Sequence, residues 1–178
     1  NRLTSVEGTV DFLPYALLGV LHRFGIPLLE GSLLLRLMGG LLSWIAGYRL
    51  LKIWKSPSAE AWGPLLLMAH VPLLYNSAQG FTASLFTATI LWASYFLFFR
   101  HRAMVGFAIL SLVPLIRLEG MWFVLLASGA YFYRFPKSRR QTGLLFLVTL
   151  LPIALLCLYR FRHFGSLNPV PIQYKNTL

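Results

Sequence analysis

Arg117 and Glu119 are the residues whose types and spacing most suggest chemistry, because they stand together in the apolar stretch VPLIRLEGMWF, with Gly120 directly after them. Two positions apart on a helix they would not face each other, so we expect them in a turn or pointing at separate partners. In a turn they can form an ion pair that closes it. Alternatively, the guanidinium can reach a phosphate, for which its planar fork of donors is suited. The sequence leaves both interpretations open.

A second set of cations lies in the C-terminal segment YRFRHFGSLNPVPIQYKNTL, where Arg160, Arg162 and Lys175 are interleaved with aromatic residues. Gly165 and Pro169 argue against one continuous helix, so the sequence predicts a surface loop over residues 160–178. Cations and aromatic side chains near lipid headgroups can bind lipid phosphate in general or hold one phosphorylated substrate.

The N-terminal segment NRLTSVEGTVDF adds two acids, Glu7 and Asp11, and a carboxylate pair can act in acid–base or metal chemistry. The sequence contains no HExxH pattern, glycine-rich phosphate loop, GxSxG motif or Cys/His ligand spacing. Its single cysteine, Cys157, allows no intramolecular disulfide. The motifs of soluble enzymes therefore give no basis for a function.

The composition of the chain indicates whether these charged groups belong to a soluble protein or to a membrane protein. The 178 residues are 57% hydrophobic and 12% charged, with a mean hydropathy of +0.68, which excludes an ordinary soluble domain. The net charge of +11 would suggest nucleic acid in a soluble protein. Here the basic residues lie in short gaps between apolar stretches, so we predict a membrane protein and no nucleic-acid partner.

The elements that must position the charged groups are helices that cross the membrane. A bilayer core about 30 Å thick needs roughly 20 helical residues. Six apolar runs approach this length, at 32–52, 61–76, 80–99, 103–118, 120–133 and 142–159. We predict an all-α fold in which residues 32–159 form a bundle of about six spans. Interior prolines such as Pro114 and Pro152 predict kinks.

A seventh apolar stretch, 12–29, is interrupted by His22, Arg23, Gly25 and Pro27 and suits an interfacial or re-entrant helix. Residues 1–31 are then an exterior loop with an interfacial helix. Nine Lys and Arg residues fall on one side of the predicted bundle: Arg49, Lys52, Lys55, Arg100, Arg102, Arg134, Lys137, Arg139 and Arg140. Six fall on the other: Arg2, Arg23, Arg117, Arg160, Arg162 and Lys175. The side with more cations is expected to be cytoplasmic.

The run 32–52 contains two further features. Its small residues Gly39, Gly40, Ser43 and Gly47 predict a stripe that seats a neighbouring helix. Arg36 is an ionisable residue inside the run, which makes it a functional candidate. It lies near the outer end, and we interpret it as extending its head to the interface.

Three segments together resemble the GT-C glycosyltransferases, and most nearly the bacterial branch of mycobacterial-type arabinofuranosyltransferases and related mannosyltransferases. Asn1, Val6, Glu7, Gly8, Leu21, His22 and Gly25 match that branch's NxGERVEGYTSPLW and LHxLG motifs. Arg117, Glu119 and Gly120 match its RPEG turn, with Leu118 in place of proline. Phe164, Gly165, Ser166, Leu167, Pro169 and Lys175 match its YYGSLLPNTxYAK loop.

The resemblance implies a partial GT-C module, a multi-pass protein of the bacterial cytoplasmic (inner) membrane. Such a protein transfers a sugar from a polyprenyl-phosphate donor to a glycan or other hydroxyl acceptor on the exterior face. The implied substrate-binding residues are Glu7, Arg117, Glu119, Arg160, Arg162 and Lys175. The resemblance puts the catalytic acidic pair upstream of Asn1, so we expect a piece of a longer protein that lacks the first span and is inactive alone. It also allows a divalent cation, for which this sequence offers no ligand set.

Two rival functions remain. A transporter or lipid flippase component also needs several spans, kinked helices and buried charge, but it is expected to show inverted internal similarity, and the sequence has none. A non-catalytic assembly subunit would use its basic loops for orientation and would bind no lipid-linked substrate.

Overall fold

The computed structural model describes residues 12–53, 81–135 and 139–164, and within these ranges the chain is helical, with no strand. The predicted all-α fold is confirmed. In chain order the helices are α1 (Phe12–Arg23), α2 (Leu28–Ile53), α3 (Phe81–Ser94), α4 (Ala103–Leu110), α5 (Val113–Ile116), α6 (Gly120–Arg134) and α7 (Arg139–Phe164). A π-helical segment, Tyr95–Phe99, continues α3. The predicted run 61–76 lies outside the described residues.

Some helices begin and end where the sequence predicts, and others do not. α1 ends at Arg23, where the stretch 12–29 was expected to break, and the turn that follows contains Gly25 with a φ of 85°. The run 103–118 divides into α4 and α5. Pro114 lies in the first turn of α5, where its missing N–H is no loss, so it begins a helix and does not kink one.

The predicted loop from residue 160 is wrong at its start. α7 continues to Phe164, so Arg160 and Arg162 belong to its last turns. Nothing in Tyr159–Phe164 breaks a helix, because the first glycine comes at 165 and the first proline at 169. Pro152 lies inside α7, which is continuous across it.

α2 and α3 pack side by side in the same direction. Gly39 lies against Ser84 and Leu85, and farther along both helices the indole N–H of Trp92 donates to the carbonyl oxygen of Leu42 at 3.1 Å. A Cβ on Gly39 would stand 2.6 Å from the Ser84 Oγ and 2.8 Å from backbone atoms of α3. The predicted small-residue stripe is confirmed at Gly39 and Ser43, which contact α3, and Gly47 of the same stripe is buried.

Gly40 is the exception in that stripe. No atom of another element lies within 4 Å of the position its Cβ would take. Ser43, by contrast, donates from Oγ to the Gly39 carbonyl at 2.8 Å and to the Ser84 carbonyl at 3.3 Å. Gly40 therefore points away from the α2–α3 contact, as expected for a residue one position along a helix from a buried one.

Three further contacts fix the directions of the other helices. Phe86 and Phe123 meet at 6.1 Å between ring centroids, and Phe98 and Tyr131 meet at 6.2 Å, so α6 runs parallel to α3. α4 returns in the opposite direction, with Gly106 against Leu97. α7 runs with α4, since Thr149 donates from Oγ1 to the carbonyl oxygen of Phe107 at 3.4 Å while Gly143 lies near Phe132.

The bundle therefore has two ends. The first, here the Arg117 end, contains the starts of α2, α3 and α6 and the end of α7. The second, the Arg100 end, contains the ends of α2 and α6, the end of the Tyr95–Phe99 segment and the start of α7. Arg49, Lys52, Arg100, Arg102 and Arg134 all lie at the Arg100 end. These five residues, which the charge count placed on the same side of the predicted bundle, thus lie at the same end of the structure.

The bundle keeps much of its apolar surface outside. Its core consists of Ala93, Leu97, Phe107, Leu110, Val113, Val124 and Tyr131. In contrast, Leu37, Leu126 and Leu147 are 70%, 70% and 64% exposed. Two helices, Leu28–Ile53 and Thr82–Phe99, are long and apolar enough to cross a membrane, and only 22% and 28% of their most apolar windows are buried. A core helix of a soluble protein would be mostly buried.

Candidate functional site

Arg117 and Glu119 form an ion pair in the turn between α5 and α6. The Nε of Arg117 lies 3.6 Å from Oε2 of Glu119, and their side chains are 42% and 68% exposed. The turn is closed by two backbone bonds: the N–H of Arg117 donates to the Val113 carbonyl at 3.1 Å, and the N–H of Gly120 donates to the Arg117 carbonyl at 2.9 Å. Of the two arrangements left open by the sequence, the structure has the pair within a turn.

Gly120 is needed in this turn for space. A Cβ at this position would stand 2.7 Å from Cγ1 of Val113 and 2.8 Å from its carbonyl oxygen. The first turn of α6 therefore lies directly on the first residue of α5. Any larger residue would push α6 away and widen the turn that holds Arg117 and Glu119.

The ion pair leaves most of the Arg117 guanidinium free for other contacts. An exposed pair of this kind contributes about 0–1 kcal/mol to stability, so it holds the turn weakly. The guanidinium also lies against Phe86 of α3, with Cζ 5.9 Å from the ring centroid. Within the described chain the terminal nitrogens of Arg117 make no hydrogen bond. The side chain is 42% exposed at one end of the bundle, and guanidinium N–H groups are suited to binding phosphate oxygens.

Arg36 is a second cation at the Arg117 end with an unsatisfied donor. It lies on α2, one turn before Gly39, and its Nε is buried and has no hydrogen-bond partner among the described residues. A buried donor without a partner costs about 1–3 kcal/mol, so such groups call for an explanation. Our interpretation from the sequence, a head extended to the interface, does not account for a buried Nε. The sequence had already indicated that Arg36 is a functional candidate, because it is an ionisable residue within an apolar run.

The remaining predicted site residues divide by location. Arg160 and Arg162 lie in the last turns of α7, which reaches the Arg117 end, and Arg162 is exposed. Glu7 and Lys175 lie outside the described residues. The structure therefore brings four of the six predicted residues to one end of the bundle, and joins two of them directly.

A cation site does not fit the residues at hand. In the part of the chain that the structure describes, no group of three or more His, Cys, Asp or Glu side chains could hold a metal ion. The Arg117 end offers two described carboxylates, Glu30 in the first turn of α2 and Glu119, and the latter is paired with Arg117.

Comparison of the chain with models of protein families, with curated proteins and with solved structures yields no match. The residues of the site offer positive charge and N–H donors at the end of an apolar bundle, which is suited to holding an anion at a membrane surface.

Proposed function

We propose that this chain forms the donor-phosphate end of a polytopic membrane glycosyltransferase that uses a polyprenyl-phosphate sugar. One observation carries the proposal: among the described residues, the terminal nitrogens of Arg117 make no hydrogen bond, and the buried Nε of Arg36 at the same end of the bundle has no hydrogen-bond partner. A lipid-linked phosphate would supply acceptors for the accessible terminal nitrogens of Arg117 while its chain lies along the exposed apolar faces of the helices.

The proposed reaction is a single displacement. A carboxylate, expected upstream of Asn1, takes the proton of an acceptor hydroxyl, and the hydroxyl oxygen forms a bond to the anomeric carbon. The bond between that carbon and the phosphate oxygen breaks, and its electron pair stays on the leaving polyprenyl phosphate. Arg117 and Lys175 are proposed to stabilise this charge, with Arg160, Arg162 and Arg36 around them. Glu7 is proposed to position the acceptor or its loop.

The proposed membrane topology has six crossings, of which the run 61–76 is one. Two features of the described residues support it. The helices α2 and α3 are parallel neighbours, so the chain must return to the Arg117 end between Ile53 and Phe81, and a crossing by 61–76 would provide that return. The described cations also separate between the two ends in the way expected for a cytoplasmic Arg100 end.

Cysteine labelling tests this topology. With Cys157 replaced by serine, Ser5→Cys is expected to react with an impermeant maleimide from the exterior, and Ser138→Cys from the cytoplasm. The two positions flank an odd number of predicted spans, which is why their sides must differ. Labelling of both positions from one side of sealed vesicles would contradict six crossings.

Ligand-dependent stability tests the proposed substrate. Polyprenyl phosphate is expected to raise the unfolding temperature of the purified chain in detergent, because a ligand at about 100 times its Kd stabilises the folded state by roughly 2.7 kcal/mol. The neutral polyprenol of the same length is the matched control, since it lacks only the phosphate. Equal shifts with both lipids would favour a non-catalytic assembly subunit and would overturn the proposal.

A further inference from the structure

The Arg100 end carries positive charge that no described acid balances. Its Lys and Arg residues with described side chains are Arg49, Lys52, Arg100, Arg102 and Arg134, and α7 also begins there with Arg139 and Arg140. The acids within the described ranges, Glu30 and Glu119, both lie at the opposite end. A concentrated charge of one sign attracts counter-ions and anionic surfaces.

Two of these cations are fixed on the same aromatic platform. The Cζ of Arg49 lies 5.3 Å from the ring centroid of Trp92 and 6.0 Å from that of Tyr95, and the Cζ of Arg100 also lies 6.0 Å from the Tyr95 centroid. The two guanidiniums are therefore no more than twice that distance apart. The rings themselves are packed edge to face, Trp92 on Tyr95 at 5.7 Å, and Tyr95 is buried. The two guanidiniums thus share one packed aromatic group, which limits the distance between them.

The turn after the platform presents further cations in a fixed backbone geometry. The Tyr95–Phe99 segment is π-helical, a form that occurs often at functional sites, and the N–H of Arg100 donates to the Tyr95 carbonyl at 3.0 Å. His101 has a φ of 52°, a left-handed conformation that side chains other than glycine rarely adopt, and its ring meets Phe135 at 5.3 Å. The N–H of Arg102 donates to the Phe96 carbonyl at 2.9 Å. An unusual backbone conformation maintained by several contacts is typical of a binding site.

We propose that the Arg100 end binds the phosphate headgroup of an anionic membrane phospholipid between the guanidiniums of Arg49 and Arg100. Planar guanidiniums bind phosphate oxygens in pairs, and two of them supply the charge that one phosphodiester attracts. The proposal rests on the membrane placement given above and concerns the opposite end of the bundle from the sugar donor.

Apolar surface beside the cations selects a lipid over free phosphate. Met104, at the start of α4, is 68% exposed, and Phe99 and Ile53 are 42% and 39% exposed. These side chains lie next to the basic turn and next to Lys52, so that a phosphate held by the arginines would have its acyl chains against them. Free phosphate would leave this surface uncovered.

The test measures phospholipid affinity with the full chain in nanodiscs. Phosphatidylglycerol is titrated into discs of phosphatidylcholine, and the apparent affinity is read from the rise in unfolding temperature. The variant Arg49→Gln/Arg100→Gln is expected to lose about 100-fold in affinity, roughly tenfold for each charge-assisted contact. Arg49→Lys/Arg100→Lys keeps both charges but not the planar donors, and about a tenfold loss is expected for it.

Three outcomes would overturn the inference. Affinity of the lysine variant equal to that of the original chain would mean that charge alone attracts the lipid. An unchanged affinity of the glutamine variant would remove the two arginines from the site. Inorganic phosphate, added to discs of phosphatidylcholine alone, would overturn the choice of a lipid if it stabilised the chain as strongly.

Two further measurements keep the test decisive. If the double glutamine variant does not fold, the single variant Arg100→Lys, at an exposed position, is measured instead and is expected to lose severalfold in affinity. All variants are also titrated with polyprenyl phosphate, whose affinity is expected to stay unchanged. A failure at the Arg100 end is in this way separated from a failure of the proposed function at the Arg117 end.

Discussion

Arg117→Ala is expected to lower the affinity of the chain for polyprenyl phosphate by about 10- to 100-fold. A hydrogen bond to a charged group contributes about 1.5–3 kcal/mol, and about 1.4 kcal/mol corresponds to a factor of ten. The guanidinium offers terminal nitrogens that make no hydrogen bond within the described chain, so their loss removes contacts to the ligand more than contacts within the protein. The apparent Kd is measured from the ligand-dependent unfolding temperature. In the complete protein the same change is expected to lower turnover sharply.

Glu119→Gln is the matched comparison, because it alters the other member of the ion pair. The substitution removes a negative charge that lies 3.6 Å from the Nε of Arg117 and that repels phosphate. Tighter binding of polyprenyl phosphate is therefore expected. If both substitutions lower the unfolding temperature equally and neither alters phosphate affinity, the pair serves only to close the turn and our assignment of Arg117 is wrong.

Gly39→Ala is expected to lower the free energy of unfolding by about 2 kcal/mol, within the range of roughly 1–3 kcal/mol typical of overpacking. The new methyl group would lie 2.6 Å from the Ser84 Oγ and 2.8 Å from the Leu85 nitrogen. Backbone atoms cannot rotate away as a flexible side chain can, so α2 and α3 must separate. The Ser43 Oγ bond to the Ser84 carbonyl, at 3.3 Å, would then be lost as well. Thermal or denaturant unfolding in detergent measures the change.

Gly40→Ala provides the control on the next residue of the same helix. Both substitutions replace a helical glycine by alanine and gain about 1 kcal/mol in helix propensity. Only Gly40 has open space at the Cβ position, so its substitution is expected to be neutral or stabilising. Equal effects of the two substitutions would show that α2 and α3 do not approach each other as closely as described.

The sequence was sufficient for the helical class and for most helix boundaries. These features depend on a local pattern, because long apolar runs in a membrane must form helices. For Arg117 and Glu119 the sequence excluded a contact along one helix but left open whether they pair in a turn. The division of cations was also predictable, since it follows from counting alternate loops. The error at residues 160–164 arose because the loop predicted from Gly165 and Pro169 was extended back to residue 160, whereas no residue before Gly165 interrupts the helix.

What the sequence could not determine is which side of each helix meets another helix. α2 is apolar on nearly every side, so its pattern does not indicate that Gly39 contacts α3 while Gly40 does not. The buried Nε of Arg36 and the stacking of Arg49 and Arg100 on Tyr95 depend on the same rotation and on the parallel pairing of α2 with α3. Contacts between helices far apart in the chain are set by packing in three dimensions, and packing leaves no periodic signal in a helix that is hydrophobic all round.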